Sequence, residues 1–94
     1  MTDEERLELL KADLQYPPAA KDIYLRHLLK VAEEEIIKEG IKLNTSVSHE
    51  HIRIMYAAYL YRKRAAPDTT MPRMLRWALN QAVFRQKGAV SNAT

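Results

Sequence analysis

The 94-residue sequence contains no cysteine. That excludes a disulfide framework, a thiolate zinc site and a cysteine nucleophile, and it fits a reducing compartment. Glycine is nearly absent, with two residues, and proline occurs four times. There is no glycine-rich phosphate loop, nucleophile elbow, internal repeat or low-complexity tract. No apolar run approaches the roughly 20 residues of a membrane span, and the acidic opening Asp3-Glu4-Glu5 is unlike a signal peptide. What remains is 47% hydrophobic and 29% charged, with a net charge of +3. Such a chain is too apolar and too weakly charged to be disordered, and its length suits one domain with one modest core.

The few prolines and glycines punctuate four helical patterns. The first starts near Asp3, with Thr2 as cap and Glu5 completing a capping box. It buries Leu7, Leu10 and Leu14, with Leu9 on the flank, and ends by about Leu14 ahead of Tyr16-Pro17-Pro18. The second runs from about Ala19 to Glu39, with Leu25, Leu28, Leu29, Ala32 and Ile36 on one face and Gly40 as a left-handed cap. Ile41 to Val47 is a short connection. The third helix, from about His49 to Ala65 behind a Ser48 cap, is apolar on nearly all sides, which places it between the others. The fourth starts near Pro72 and ends near Lys87. It turns Leu75, Ala78, Leu79 and Ala82 inward and Met74, Trp77 and Phe84 elsewhere. The expected class is all-α: a small four-helix bundle with a central, largely buried third helix, a single domain over 1–88, and a flexible tail at 89–94.

Clusters with chemical potential are few. In His49-Glu50-His51 the imidazoles stand at i and i+2 and do not share a helix face, so the triplet reads as polar residues opening a helix. His27 reads as solvated. Glu33-Glu34-Glu35 splays through about 200° of helix, and a Glu34–Lys38 pair accounts for part of it. No catalytic residue, no metal ligand and no cofactor follow from these patterns, and an enzyme is not expected. A helix-turn-helix also fits poorly, because Gly40 to Ser48 is too long a turn.

Charge is more informative. Residues 1–47 hold 7 Lys/Arg against 10 Asp/Glu, and residues 48–94 hold 8 against 2. A basic half can meet phosphates, or it can face the acidic part of a second copy, or both can be ordinary solvated surface. Tyr59, Tyr61, Trp77 and Phe84 are many aromatics for so small a core. They belong to the residue types enriched at interfaces. For Trp77 the other outcome is packing under the first helix.

Two strings carry a likeness. Ile54-Met55-Tyr56-Ala57-Ala58-Tyr59-Leu60-Tyr61-Arg62-Lys63-Arg64 is one, and Met71-Pro72-Arg73-Met74-Leu75-Arg76-Trp77-Ala78-Leu79-Asn80 is the other. Together with Arg6-Leu7-Glu8-Leu9-Leu10-Lys11 and residues 28–36, they resemble head-tail connector proteins of tailed bacteriophages. The resemblance spans most of residues 5–88 and departs at Pro17-Pro18, where many members have an acidic loop. It implies a non-enzymatic subunit without a cofactor that forms a ring with copies of itself, twelve-fold in the virion. Its partners would be the portal and a stopper or tail-completion protein, with DNA passing through without sequence specificity. No membrane is involved, and the protein would sit at the head-tail junction of the virion after assembly in the host cytoplasm. The residues expected at subunit or portal contacts, or along the DNA channel, are Tyr59, Tyr61, Arg62, Lys63, Arg64, Arg73, Arg76 and Trp77. The alternative is a small helical nucleic-acid-binding module that uses the basic C-terminal half; a generic helical interaction protein is the third reading.

Overall fold

Thr2 opens the first helix in the computed structural model, which describes the backbone of residues 1–93 and the side chains as far as Gly88. Its hydroxyl accepts from the Glu5 amide and the Glu5 carboxylate accepts from the Thr2 amide, each at 3.1 Å. This reciprocal box starts α1 (Asp3–Asp13), and the bond from the Thr2 amide holds the exposed Glu5 carboxyl below its ordinary range. The helix ends without glycine. Tyr16 N donates to Lys11 O at 2.6 Å and Gln15 N to Ala12 O at 3.1 Å, the two bonds of a Schellman cap. Gln15 and Tyr16 both take left-handed backbone, φ 61° and 56°, a conformation that costs a side-chain-bearing residue about 1–2 kcal/mol.

The second helix starts later than the apolar spacing suggests. Pro18 is extended and Ala19–Lys21 form a 3-10 turn, so α2 covers Asp22–Lys38 rather than beginning near Ala19. Lys21 N bonds Pro18 O at 2.8 Å, and no side chain caps the entry. Gly40, at φ 94°, ends α2 in left-handed backbone as expected. The next helix, α3 (Val47–Ala65), is capped by Ser46 and not by Ser48: the extended Ser46 accepts from His49 N at 3.3 Å. Asn44 fixes that choice by accepting from Ser46 N at 2.8 Å. The last helix, α4 (Arg73–Ala93), continues through Gly88 instead of stopping near Lys87. One glycine in a helix costs only ~1 kcal/mol, too little to end it. The flexible tail expected at 89–94 begins within this helix; its side chains, and Thr94 altogether, lie outside the described residues.

Helices α1, α2 and α4 all pack on α3, and α1 also packs on α2. The bundle is all-α as expected, with no strand among the described residues. Burial on α3 runs round most of its circumference, from Ile52 and Ile54 to Tyr56, Ala57, Ala58 and Tyr59. Leu7 and Leu10 come from α1, Leu25 to Ile36 from α2, and Leu75, Leu79 and Ala82 from α4. Ile41, only 1% exposed, plugs the core from the connection. The molecule is a slab of 50 × 31 × 18 Å. Helices of about 10 Å diameter fill that depth in two layers, so the outer faces of α1 and α4 have no helix above them.

Candidate interaction surface

Among the described residues, polar side chains converge inside the bundle, near the start of α3. Glu50 is buried near the start of α3. Arg6 of α1 grips it with two parallel bonds, Nε to Oε1 and Nη2 to Oε2, each 3.0 Å. Arg53, one turn along α3, donates Nη1 to Glu50 Oε1 and to the Asn44 carbonyl, the latter at 2.7 Å. Glu33 of α2 stands 3.6 Å from Arg53 Nε. Burial alone would raise the Glu50 carboxyl pKa, but the Arg6 bonds and the Arg53 charge more than offset it and hold it below the ordinary range. The same bonds push the Arg6 guanidinium up. Paired, forked and desolvated, the group ties α1, α2, α3 and the Asn44 turn together; its carboxylate is occupied from both sides.

The flanking histidines diverge. His49 is half-buried, and its Nδ1 accepts from Asn44 N at 3.1 Å. Burial, then the Arg53 charge, pushes its pKa down. His51 is exposed. Among the described residues no group of three His, Cys, Asp or Glu side chains is placed to hold a metal ion. Along the acidic triplet, Glu33 turns to Arg53, Glu35 pairs with Lys38 at 3.2 Å, and Glu34 is exposed. The carboxylate that meets Lys38 is thus at i−3 and not the expected Glu34 at i−4.

The eight residues expected at contacts divide into two groups. Tyr59 is buried, 8% exposed, against Tyr56 at 6.0 Å between ring centroids, so it is a core residue of this chain and not an open contact. Lys63 lies over its ring and donates to its hydroxyl at 3.2 Å. Tyr61 is half-buried beside Tyr24, and Arg64 stacks on the Tyr24 ring at 4.5 Å. Arg62 reaches across to Asp13, bonding its carboxylate and its carbonyl at 3.2 Å each. Arg76 is forked onto Glu39 at 3.2 and 3.1 Å, which raises its pKa. Much of the charge difference between the two halves of the chain is therefore used inside the fold: Arg62–Asp13, Arg76–Glu39 and Arg53–Glu33 each join a late cation to an early anion. Arg73 and Trp77 face solvent, and Trp77, 61% exposed, does not pack under α1.

Trp77 borders a groove of about 550 Å³ between α4 and the start of α3, walled by Lys42, His49, His51 and Arg85. Gln86 closes one end. Its Oε1 accepts from Lys42 N at 2.8 Å and its Nε2 donates to Gly40 O at 2.9 Å, clamping the α2–α3 connection to α4. Neither this clamp nor the Arg6–Glu50–Arg53 hub is apparent from local sequence. The only available signals were an arginine and a glutamate at otherwise apolar-facing helix positions. A larger groove, about 720 Å³, lies between α1 and the first half of α3.

These features define an all-α bundle with an ion-paired interior, in which Arg53 Nε is buried without a hydrogen bond, and uncovered apolar helix faces. No protein-family model matches the chain, and no curated protein and no solved structure shows significant similarity to it. Among the described residues no helix is long and apolar enough to cross a membrane.

Proposed function

We propose that the protein is a non-enzymatic subunit of a phage head-tail connector ring, joining the portal to the stopper or tail around the DNA channel. The observation that carries this reading is the outer side of α4. Met74, Trp77 and Phe84 are 72%, 61% and 72% exposed, while Leu75 and Leu79 on the inner side are 1% exposed. A helix with two apolar faces needs two partners, and among the described residues the chain supplies one, α3. The likeness of residues 54–64 and 71–80 to connector subunits supplies the biological setting. The converging polar groups of the interior are consumed in holding helices together, which suits a building block.

The test mixes the purified chain with a tailed-phage portal protein and images the product by electron microscopy. Rings stacked on portals are expected. Absence of portal binding, together with absence of rings from the chain alone, overturns the reading. A second reading, binding to DNA, draws on the absence of Asp and Glu from 73–93 and on exposed Arg73, Arg85 and Lys87. It expects log affinity to fall with log salt at roughly −0.9 per phosphate neutralised. With Arg62 and Arg76 engaged by carboxylates, few cations are left for that role.

A further inference from the structure

Among the described residues, two uncovered apolar faces are opposite in charge. The first is the outer side of α4. At 100° per residue, Met74, Trp77, Gln81, Phe84 and Gly88 fall within about 80° of arc, turned away from Leu75, Leu79 and Ala82. Their alternating spacing of three and four is that of a helix–helix seam. Exposed Arg73 and Lys87 border the seam on one side and Arg85 on the other, with no acidic residue along α4. The second face is the groove between α1 and α3. Met1, Leu9, Val47, Ile54 and Met55 give it apolar walls. It continues over the outside of α1 past Glu4, Glu5 and Glu8; Glu4 bonds Arg26 at 3.1 Å and Glu8 stands 3.8 Å from Lys11, but both carboxylates stay largely exposed, so the border keeps its acidic face. Among the described residues, neither part is lined by Lys or Arg.

We infer that α4 of one copy docks through Met74, Trp77 and Phe84 into the α1–α3 groove of a second copy. The contact supplies the side-by-side packing that the connector reading requires, and it rests on that reading for its place in a closed ring. An amphipathic helix laid in a groove anchors at positions such as i, i+3, i+4 and i+7, and Met74–Trp77 and Trp77–Phe84 stand at i, i+3 and i, i+7. The basic border of α4 then meets the acidic border of α1, which steers the two surfaces into register. Pairing α4 with α4 would instead bring Arg73, Arg85 and Lys87 against their own copies. Within one chain the faces do not meet: the groove is lined from α1, α3 and the turn before α3, and Leu9, Trp77 and Phe84 are all exposed. Each copy thus carries one donor face and one acceptor face. Such heterologous contacts propagate, closing into a ring where the rotation permits.

The test is sedimentation velocity on the full chain at low salt, with two surface variants checked for native helicity and melting. Trp77→Glu combined with Phe84→Glu removes the α4 face; Leu9→Arg blocks the groove. Wild type is expected to grow beyond dimer with concentration, and each variant alone to remain monomeric. An equimolar mixture of the two variants is expected to form a heterodimer and stop, because one intact contact remains. A mixture that stays monomeric, a groove variant that assembles like wild type, or a wild type that is monomeric throughout overturns the contact. Rings that survive both variants overturn this contact and leave the connector reading standing. An assembly blocked by both variants that neither closes nor binds portal keeps the contact and removes that reading.

Discussion

Helices α1 to α3 and helix α4 are held by different means. The first three share a core that runs from Leu7 to Tyr59, and a buried ionic hub fastens them. Helix α4 is attached through Leu75, Leu79 and Ala82, with Arg76–Glu39 and the Gln86 clamp at the surface. Both parts leave large apolar side chains in water, Leu9, Ile23, Ile37 and Val47 in the first and Met74, Trp77 and Phe84 in the second, and in α4 the three share one face of the helix. The first region is built to specify a fold, because a buried carboxylate accepts few alternative arrangements. The second keeps Met74, Trp77 and Phe84 exposed, and elements with fewer buried contacts sit at the low end of local stability.

The comparison breaks most visibly at Glu50. Replacing it by Gln leaves part-buried Arg6 with only Asp3, and buried Arg53 with only Glu33, as counter-charge, and a loss of about 3–5 kcal/mol in urea unfolding is expected. The native carboxyl titrates below its ordinary range, so its contribution is fully present above the unfolded value and is lost as pH falls through the depressed one. His49 acts in the same direction: as pH drops below the ordinary histidine value, the unfolded chain takes up a proton first. Wild type should therefore weaken in acid, and the Glu50→Gln variant less steeply. Next come Leu28→Ala in α2 and Leu79→Ala in α4, each costing about 2–5 kcal/mol. Native-state hydrogen exchange sharpens this pair: Leu79→Ala should speed exchange in α4 well before α3, whereas Leu28→Ala should lower both together. Equal protection of α3 and α4 in wild type would erase the distinction between the regions.

A gain is expected from Gln15→Gly, about 1 kcal/mol, since glycine takes the left-handed cap without a Cβ penalty. The smallest effects belong to the exposed sites. Trp77→Ala and Glu34→Gln should each move stability by less than about 0.5 kcal/mol. A large loss on Trp77→Ala would mean that α4 is held by its outer face as well.

Where helices form was largely readable locally, because apolar spacing and caps act over three or four residues. Thr2 with Glu5, and Gly40, are examples. The starts of α2 and α3 were less readable. Pro18 admits either a helix or a 3-10 turn behind it, and Ser46 and Ser48 are equally good caps until Asn44 bonds one of them. Surface roles were least readable. Tyr59 and Trp77 are both aromatic and both near arginines, but one is core and the other is not.

An all-α chain with a central third helix and an α4 that is apolar on two sides follows from residue spacing along single helices. Tertiary structure alone decided that Glu50 becomes a buried hub, that Arg62 and Arg76 are taken up by Asp13 and Glu39, and that the second side of α4 stays bare. Those outcomes depend on which groups 37 to 49 positions apart come within 3 to 4 Å, and no local pattern encodes such distances.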